Sequence, residues 1–198
     1  MDIRHHQTMN IQDIPNVIFA GEVVMGKAPK TSTRHYHYDK KLAMKWNPEL
    51  PKGLTSKTLG IVYLMVVDGE IHKIGQTSGK GGIKACMSFY LGAGFGDDGL
   101  PRFVINGLWR ECINKGQKVE VYFMYMEPVK VQVPGLFGTD EMVVPVSAKG
   151  MEELCLNQYK TIEDKYPAWN FQESGTPCPQ HLFEQHSQYR AIRSNDRN

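Results

Sequence analysis

Residues 60–76 read GIVYLMVVDGEIHKIGQ, and this stretch predicts the hairpin on which the fold depends. The apolar run over 61–67 has the composition of a strand, and the pair Asp68-Gly69 that follows it is a typical hairpin turn. The second strand carries a polar cluster that includes Lys73 and Gln76. A hairpin that served only the core would alternate apolar and polar residues along both strands, so the reason for this cluster must be sought in the rest of the chain.

The length of the loop decides which side chains share a face of this hairpin. A two-residue loop at Asp68-Gly69 places Tyr63 and Lys73 on opposite faces of the sheet. A three-residue loop that includes Glu70, with a left-handed glycine, pairs Tyr63 with Gly75 and brings Lys73 to the Tyr63 face. We predict the three-residue loop, because the chemistry described below requires these two side chains to be close together.

The composition is typical of a soluble globular chain. The 198 residues are 41% hydrophobic and 22% charged, which fits one domain with appendages. No apolar run approaches the roughly 20 residues of a membrane helix, and the N-terminus lacks the apolar core of a signal peptide. The four cysteines form no CxxC pair, which argues against a zinc site or a disulfide framework. We therefore predict a cytoplasmic protein.

Basic residues are concentrated in the first part of the chain. Residues 1–58 contain nine Lys and Arg against five Asp and Glu, a net charge of +4, whereas 59–172 carry −2. Such an arm could contact an anion such as DNA, or it could simply be solvated, and the charge alone leaves both open. The candidate DNA contacts combine cations with neighbouring aromatic rings, and they are Lys27, Lys30, Arg34, His35, His37, Lys40 and Lys41.

The remaining pattern predicts an α+β fold with a small, mainly antiparallel three-stranded sheet flanked by helices. A short helix is expected over 83–91, an amphipathic helix over 101–115 and a third strand over 118–126. Ser147 can cap a later helix that runs to about residue 165, where a Tyr-Pro pair ends it. The predicted organisation is an N-terminal arm over 1–58 for DNA binding or dimerisation, a core over 59–172 and a polar tail over 173–198.

The tetrapeptide over 60–63, followed ten residues later by the Lys-Ile-Gly of 73–75, resembles the signature of the GIY-YIG nucleases. In that family a glutamate on a late helix and a closing asparagine follow the two signature strands. Glu152 and Asn170 stand at the matching positions, and Glu153 competes with Glu152. The resemblance covers about residues 59–172. It is closest to small dimeric type II restriction endonucleases of the family, in which a lysine replaces the second signature tyrosine, as Lys73 does here.

The resemblance implies a role for each matching residue. Tyr63 would be the general base, helped by Lys73, and Glu152 would hold one Mg²⁺ (or Mn²⁺) per active site. A tyrosine pKa of about 10 must fall by about 3 units to act at neutral pH, which requires roughly 4 kcal/mol. We predict that the ammonium of Lys73 contributes to this lowering, together with the metal and its bound waters.

Three further residues follow from the same resemblance. Gln76 and Lys84 would face the phosphate, and Asn170 would order a loop beneath the site. Two of these residues depart from the family pattern. Gln76 stands where these restriction enzymes carry a histidine, and it cannot accept a proton as a neutral histidine can. Lys84 stands where the family has an arginine, whose planar fork grips two phosphate oxygens.

The function implied is metal-dependent cleavage of double-stranded DNA by a site-specific type II restriction endonuclease working as a homodimer. Two copies would place one site on each strand of a nearly palindromic sequence. A first alternative is a phage or homing-type GIY-YIG nuclease that nicks DNA as a monomer. A second, favoured by Gln76 and Lys84, is a non-catalytic DNA-binding module on the same scaffold.

Overall fold

The chain folds around a five-stranded sheet in a computed structural model that describes residues 9–29, 36–57, 59–96 and 99–195. The strand order is β2-β1-β5-β3-β4, and neighbouring strands are antiparallel. A separate two-stranded hairpin follows β5. The elements are β1 (Ile18–Met25), β2 (Leu42–Trp46), β3 (Gly60–Val67), β4 (Glu70–Thr77), α1 (Gly82–Leu91), α2 (Leu100–Asn114), β5 (Val119–Met126), β6 (Val129–Gly135), β7 (Gly138–Val144), α3 (Ala148–Glu163), α4 (Phe171–Ser174) and α5 (Gln180–Asn195).

The α+β class and the mainly antiparallel sheet are confirmed, but the sheet has more strands than predicted. The three predicted strands are β3, β4 and β5, and the segment before residue 58 adds β1 and β2. Ala20, Val23 and Leu42 are buried on these two strands and join the main core. The described part of this segment is therefore built into the sheet and is not a separate arm.

The β3–β4 hairpin has the predicted register but not the predicted loop. Tyr63 pairs with Gly75, and Met65 pairs with Lys73, so the Tyr63 and Lys73 side chains share a face of the sheet. The loop has two residues, Asp68 and Gly69, with φ angles of 49° and 90° that are typical of a type I′ turn. The register shifts next to Met65, and His72 is the extra residue of the resulting bulge.

β3 is buried on both faces, which explains its unbroken apolar sequence. Ile61, Met65 and Val67 face the main core beneath α1 and α2, with Tyr63 among them. The alternate residues Val62, Leu64 and Val66 face a second core that includes residues of α3. A central strand covered on both sides has no reason to alternate polar and apolar positions.

The C-terminal region, for which the sequence predicts a polar tail over 173–198, contains a helix that docks on the rest of the fold. In α5, Leu182, His186 and Tyr189 are buried, and the helix packs against α2. Gly107 of α2 makes this approach possible, because a Cβ there would lie 2.6 Å from Leu182 Cδ2. Polar residues dominate the composition of α5 and most of its exposed surface, where Phe183 and Ile192 are also exposed.

The predicted Ser147 cap is present, since its hydroxyl oxygen accepts a hydrogen bond from Gly150 N at 3.1 Å. The helix ends at Glu163, just before the left-handed Asp164. None of the helices in the described ranges is long and apolar enough to cross a membrane.

Candidate active site

One cavity of about 380 Å³ brings together four of the five predicted catalytic residues. Tyr63 comes from β3, Lys73 and Gln76 from β4, and Glu152 from the first turns of α3. Part of α2 and the segment that follows α3 complete the walls. Residues almost 90 positions apart in the sequence thus meet at one place, as the resemblance requires.

The Tyr63 phenol lies directly over the backbone of β4. A Cβ added to Gly75 would lie 2.5 Å from both Cζ and Oη of Tyr63, a distance that no side chain could tolerate. Glycine is therefore required at this position for the ring to reach the cavity. The Tyr63 hydroxyl forms a hydrogen bond of 2.8 Å with the hydroxyl of Tyr90 from α1.

In the protein alone, the environment of Tyr63 raises its pKa, which is the opposite of the shift that a general base needs. Burial is the main cause, because the side chain is only 3% exposed and the phenolate is poorly solvated there. Tyr90, Cys86 and Glu152 shift the pKa of Tyr63 in the same direction. Without another cation Tyr63 is therefore a neutral phenol.

Lys73 lies in the field of two carboxylates. Burial lowers the pKa of its ammonium, while Glu173 and, to a smaller extent, Glu152 raise it. The pKa of Glu152 is raised by burial first and by Glu173 second, and Lys73 opposes both effects. Within the described ranges, Lys73 forms no ion pair of 4 Å or less with any carboxylate. The cavity therefore contains one ammonium and two carboxylates that are not directly paired.

Asn170 joins the segment after α3 to the strand that carries Lys73. Its side chain is fully buried, accepts a hydrogen bond from Ile74 N at 2.9 Å and donates one to Ile74 O at 2.8 Å. The same amide nitrogen donates to Glu173 Oε2 at 3.2 Å. The backbone N–H of Trp169 donates to His72 O at 2.7 Å, which also holds the bulge. These contacts fit the loop-ordering role predicted for Asn170.

Lys84 is the predicted catalytic residue that does not line the cavity. It is exposed on α1, beside the buried Ile83, so the helix directs its side chain outward. Burial raises the pKa values of Tyr90 and Cys86, and the positive charge of Arg102 from α2 opposes this shift, so Arg102 acts on the site electrostatically. The Arg102 guanidinium also lies 4.4 Å from the ring centroid of Phe89. Gln76 does line the cavity, and its Oε1 is buried with no hydrogen-bond partner among the described residues.

The predicted DNA contacts fall into three groups. Lys27, Lys40 and Lys41 are exposed, and Lys41 N donates to Lys27 O at 3.1 Å beside the β1–β2 pair. His37 is half-buried against Phe103, with ring centroids 4.9 Å apart, and burial lowers its pKa, so the structure makes it a packing residue. Three of the predicted contacts lie outside the described residues, namely Lys30, Arg34 and His35.

The sequence analysis missed three residues near the site: Tyr90, Arg102 and Glu173. Tyr90 and Arg102 stand on helices, in no pattern that separates them from packing or surface residues. Glu173 had a usable signal, because it follows the predicted asparagine element by three residues.

No protein-family model matches the chain, and no curated protein shows significant sequence similarity to it. Two solved structures are similar over most of its length. The structure of a mutant of bacteriophage T4 EndoII has a TM-score of 0.43 and 15% identity, covering 82% of this chain and 99% of that one. The restriction endonuclease HPY188I in complex with product DNA has a TM-score of 0.41 and 16% identity, covering 84% of this chain and 95% of that one.

Proposed function

We propose that this chain is a metal-dependent endonuclease that hydrolyses phosphodiester bonds of double-stranded DNA, and that it is a site-specific type II restriction endonuclease of the GIY-YIG type. The observation that carries the proposal is the shared cavity of Tyr63, Lys73 and Glu152. These three residues match the signature by spacing, and the fold brings them together from three separate elements. A phenol, an ammonium and a carboxylate are the groups that phosphodiester hydrolysis by this route needs.

Tyr63 would accept a proton from the attacking water. Its hydroxyl forms a hydrogen bond of 2.8 Å with the hydroxyl of Tyr90, so the position of the phenol oxygen is fixed before the substrate binds. Because burial raises the pKa of Tyr63, its deprotonation depends on added positive charge in the cavity. A divalent cation, when bound, would supply that charge and also polarise the phosphate.

The donors in the cavity fit a hard cation such as Mg²⁺ or Mn²⁺. Glu152 offers carboxylate oxygens, and Gln76 Oε1 is a buried oxygen that accepts no hydrogen bond from any described residue. No group of three His, Cys, Asp or Glu side chains suited to a metal occurs within the described ranges. Mg²⁺ is commonly held by one or two carboxylates, with water and substrate phosphate completing its coordination. Glu152 would hold the ion.

Lys73 would bind the phosphate as a point charge. It lies on the Tyr63 face of the hairpin and is not neutralised by a close ion pair, so its ammonium can turn toward an incoming anion. The two carboxylates favour its charged form against the cost of burial. Lys73 would therefore offset the charge that develops on the phosphate during the reaction.

The exposed lysines near β1 and β2 would contact the DNA backbone. Lys27, Lys40 and Lys41 are exposed and would make phosphate contacts rather than base contacts, because lysine binds phosphate as a point charge. A homodimer would present two such surfaces and two cavities to a nearly palindromic site.

The test is a supercoiled-plasmid assay with Mg²⁺, followed by sequencing of the fragment ends. The native chain should give linear fragments with one recurring end sequence. Tyr63→Phe and Glu152→Gln should each reduce the rate at least a hundredfold, while Glu153→Gln on the exposed side of α3 should cleave as the native chain does. Equal cleavage by native protein and Tyr63→Phe would refute this assignment.

Two observations favour the non-catalytic alternative, namely the raised pKa of Tyr63 and the absence of Lys84 from the cavity. Such a module would bind DNA with the same affinity in the native and Glu152→Gln forms and would leave plasmid intact. The monomeric nicking enzyme would instead give open-circular plasmid first and a native mass of one chain.

A further inference from the structure

We propose that Glu173 is a second carboxylate ligand of the cation site, acting together with Glu152, so that the protein binds a divalent cation before it binds DNA. The proposal rests on the proposed function, since it concerns the same cavity. Glu173 lies on α4, a single turn that begins directly after Asn170. Both glutamates line the cavity and lie close enough to repel each other.

Only one of the two oxygens of the Glu173 carboxylate forms a hydrogen bond with a described residue. Oε2 accepts one hydrogen bond, from Asn170 Nδ2 at 3.2 Å. No contact with a described residue satisfies Oε1. The carboxylate is thus held from one side by a buried amide, and its other oxygen remains available to a ligand.

Asn170 fixes Glu173 relative to the catalytic strand. The amide that donates to Glu173 also makes two hydrogen bonds with the backbone of Ile74, between Lys73 and Gly75. A turn of only four residues would hold a side chain poorly by itself. This buried amide therefore supplies the precision that a ligand needs.

Among the described residues, neither carboxylate is neutralised by a close ion pair with Lys73. Its ammonium pairs within 4 Å with no carboxylate in the described part of the chain, although both glutamates influence it electrostatically. With both acids ionised, the three groups carry a net charge of −1 in a partly buried cavity. Gln76 Oε1 adds a buried oxygen that has no donor. This arrangement of oxygens is suited to a hard cation and its bound water.

Mn²⁺ binding, followed by the electron paramagnetic resonance signal of the free ion, tests the proposal without DNA. The native chain should bind one Mn²⁺. Glu173→Gln should raise the Kd at least tenfold, as Glu152→Gln should. The glutamine keeps a carbonyl oxygen for Asn170, so the change removes the charge and preserves the hydrogen bond. Glu153→Gln, on the exposed face of α3, is the matched control and should leave the Kd unchanged.

A native chain that binds no Mn²⁺ without DNA would overturn the proposal, and so would a Glu173→Gln variant that binds like Glu153→Gln. Circular dichroism and the melting temperature of each variant show whether folding is intact. If Glu173→Gln does not fold, Glu173→Asp is measured in its place. This variant should also bind Mn²⁺ more weakly than the native chain, because the shorter side chain moves the carboxylate away from the cation. If Mn²⁺ binds as expected while plasmid remains uncut, the cation site stands and the nuclease proposal fails.

Discussion

The Tyr63 ring lies against the Cα of Gly75, and this contact sets a steric limit at the centre of the site. The resemblance to the signature points to both residues, but it gives no physical reason for a glycine at position 75. The structure supplies the reason, because the β3–β4 register places the two residues opposite each other.

Gly75→Ala should therefore destabilise the protein by about 1–3 kcal/mol, the usual cost of overpacking. The added methyl group forces the phenol out of its position, so cleavage should fall as well. Urea unfolding monitored by fluorescence measures the first effect. Gly79→Ala is the control, because its nearest neighbour lies 3.6 Å from the added Cβ, and it should change stability by less than about 1 kcal/mol. Equal stability of the two variants would contradict the steric argument.

The raised pKa of Tyr63 makes stability depend on pH in the alkaline range. The folded state retains the phenol proton above pH 10, where the unfolded chain loses it, so stability is complete below about pH 10 and falls as the pH rises. Burial also raises the pKa values of Tyr38 and Tyr159 to about 12, and both residues add to this loss. Tyr63→Phe should reduce the alkaline slope of the unfolding free energy by about 1.4 kcal/mol per pH unit. Urea unfolding at pH 9, 10 and 11 measures the slope, and an unchanged slope would contradict the prediction.

The resemblance to the GIY-YIG signature selects Tyr63, Lys73, Glu152 and Asn170, and the first three of these line one cavity. The direction of the Tyr63 pKa shift does not follow from spacing, because burial is set by the helices that cover the strand. The contact between Asn170 and Glu173 is likewise tertiary, since it depends on how the segment after α3 docks on β4.

At the scale of elements, α5 shows how a polar sequence can still form part of the core. Only every third or fourth residue is buried, and the rest are solvated. Leu182 is 2% exposed, whereas its neighbour Phe183 is 45% exposed. A comparison of the two residues therefore shows whether burial against the core, and not hydrophobicity alone, stabilises the helix.

Leu182→Ala should cost about 2–5 kcal/mol of unfolding free energy, because it leaves a cavity against α2. Phe183→Ala should cost less than about 1 kcal/mol, although it removes a larger side chain. Thermal or urea unfolding of both variants measures the difference. Similar losses at the two positions would show that α5 does not dock in the orientation described.

The elements that the sequence predicts well are those with strong local signals. The Ser147 cap and the helical period over 101–115 each depend on neighbouring residues. The pair Asp68-Gly69 locates its turn equally well, but the predicted loop of three residues is wrong, because the loop has two. The place of β1 and β2 in the sheet does not follow from the sequence, because this part of the chain has weak periodicity. It is decided by tertiary pairing, since β1 pairs with β5 and β2 pairs with β1. The bulge at His72 is equally tertiary, since the hydrogen bond from Trp169 to its carbonyl helps to hold it.

At the scale of the whole molecule, the near-neutral net charge of +2 conceals an uneven distribution. The exposed lysines beside β1 and β2 belong to the part of the chain with the excess of positive charge. On the proposed function, this surface would carry the salt dependence of DNA binding.

Replacing Lys27, Lys40 and Lys41 together by glutamine should lower the slope of log Kd against log salt concentration by about 0.9 for each phosphate that the protein no longer neutralises. The control replaces three other exposed lysines, Lys115, Lys160 and Lys165, with no expected change in slope. Fluorescence anisotropy with a labelled duplex measures both. Equal slopes for the two triple variants would place the DNA elsewhere on the molecule.

The hydrogen bonds of Asn170 have a consequence for solubility. β4 is the outermost strand on its side of the sheet, and such strands offer unpaired peptide groups to strands of other molecules. A carboxamide carries the same donor and acceptor as a peptide group. The side chain of Asn170 therefore forms hydrogen bonds with the backbone N–H and C=O of Ile74, as a neighbouring strand would. The backbone N–H of Trp169 likewise donates a hydrogen bond to the carbonyl of His72. The segment that shapes the cavity thereby also shields the molecule from edge-to-edge aggregation.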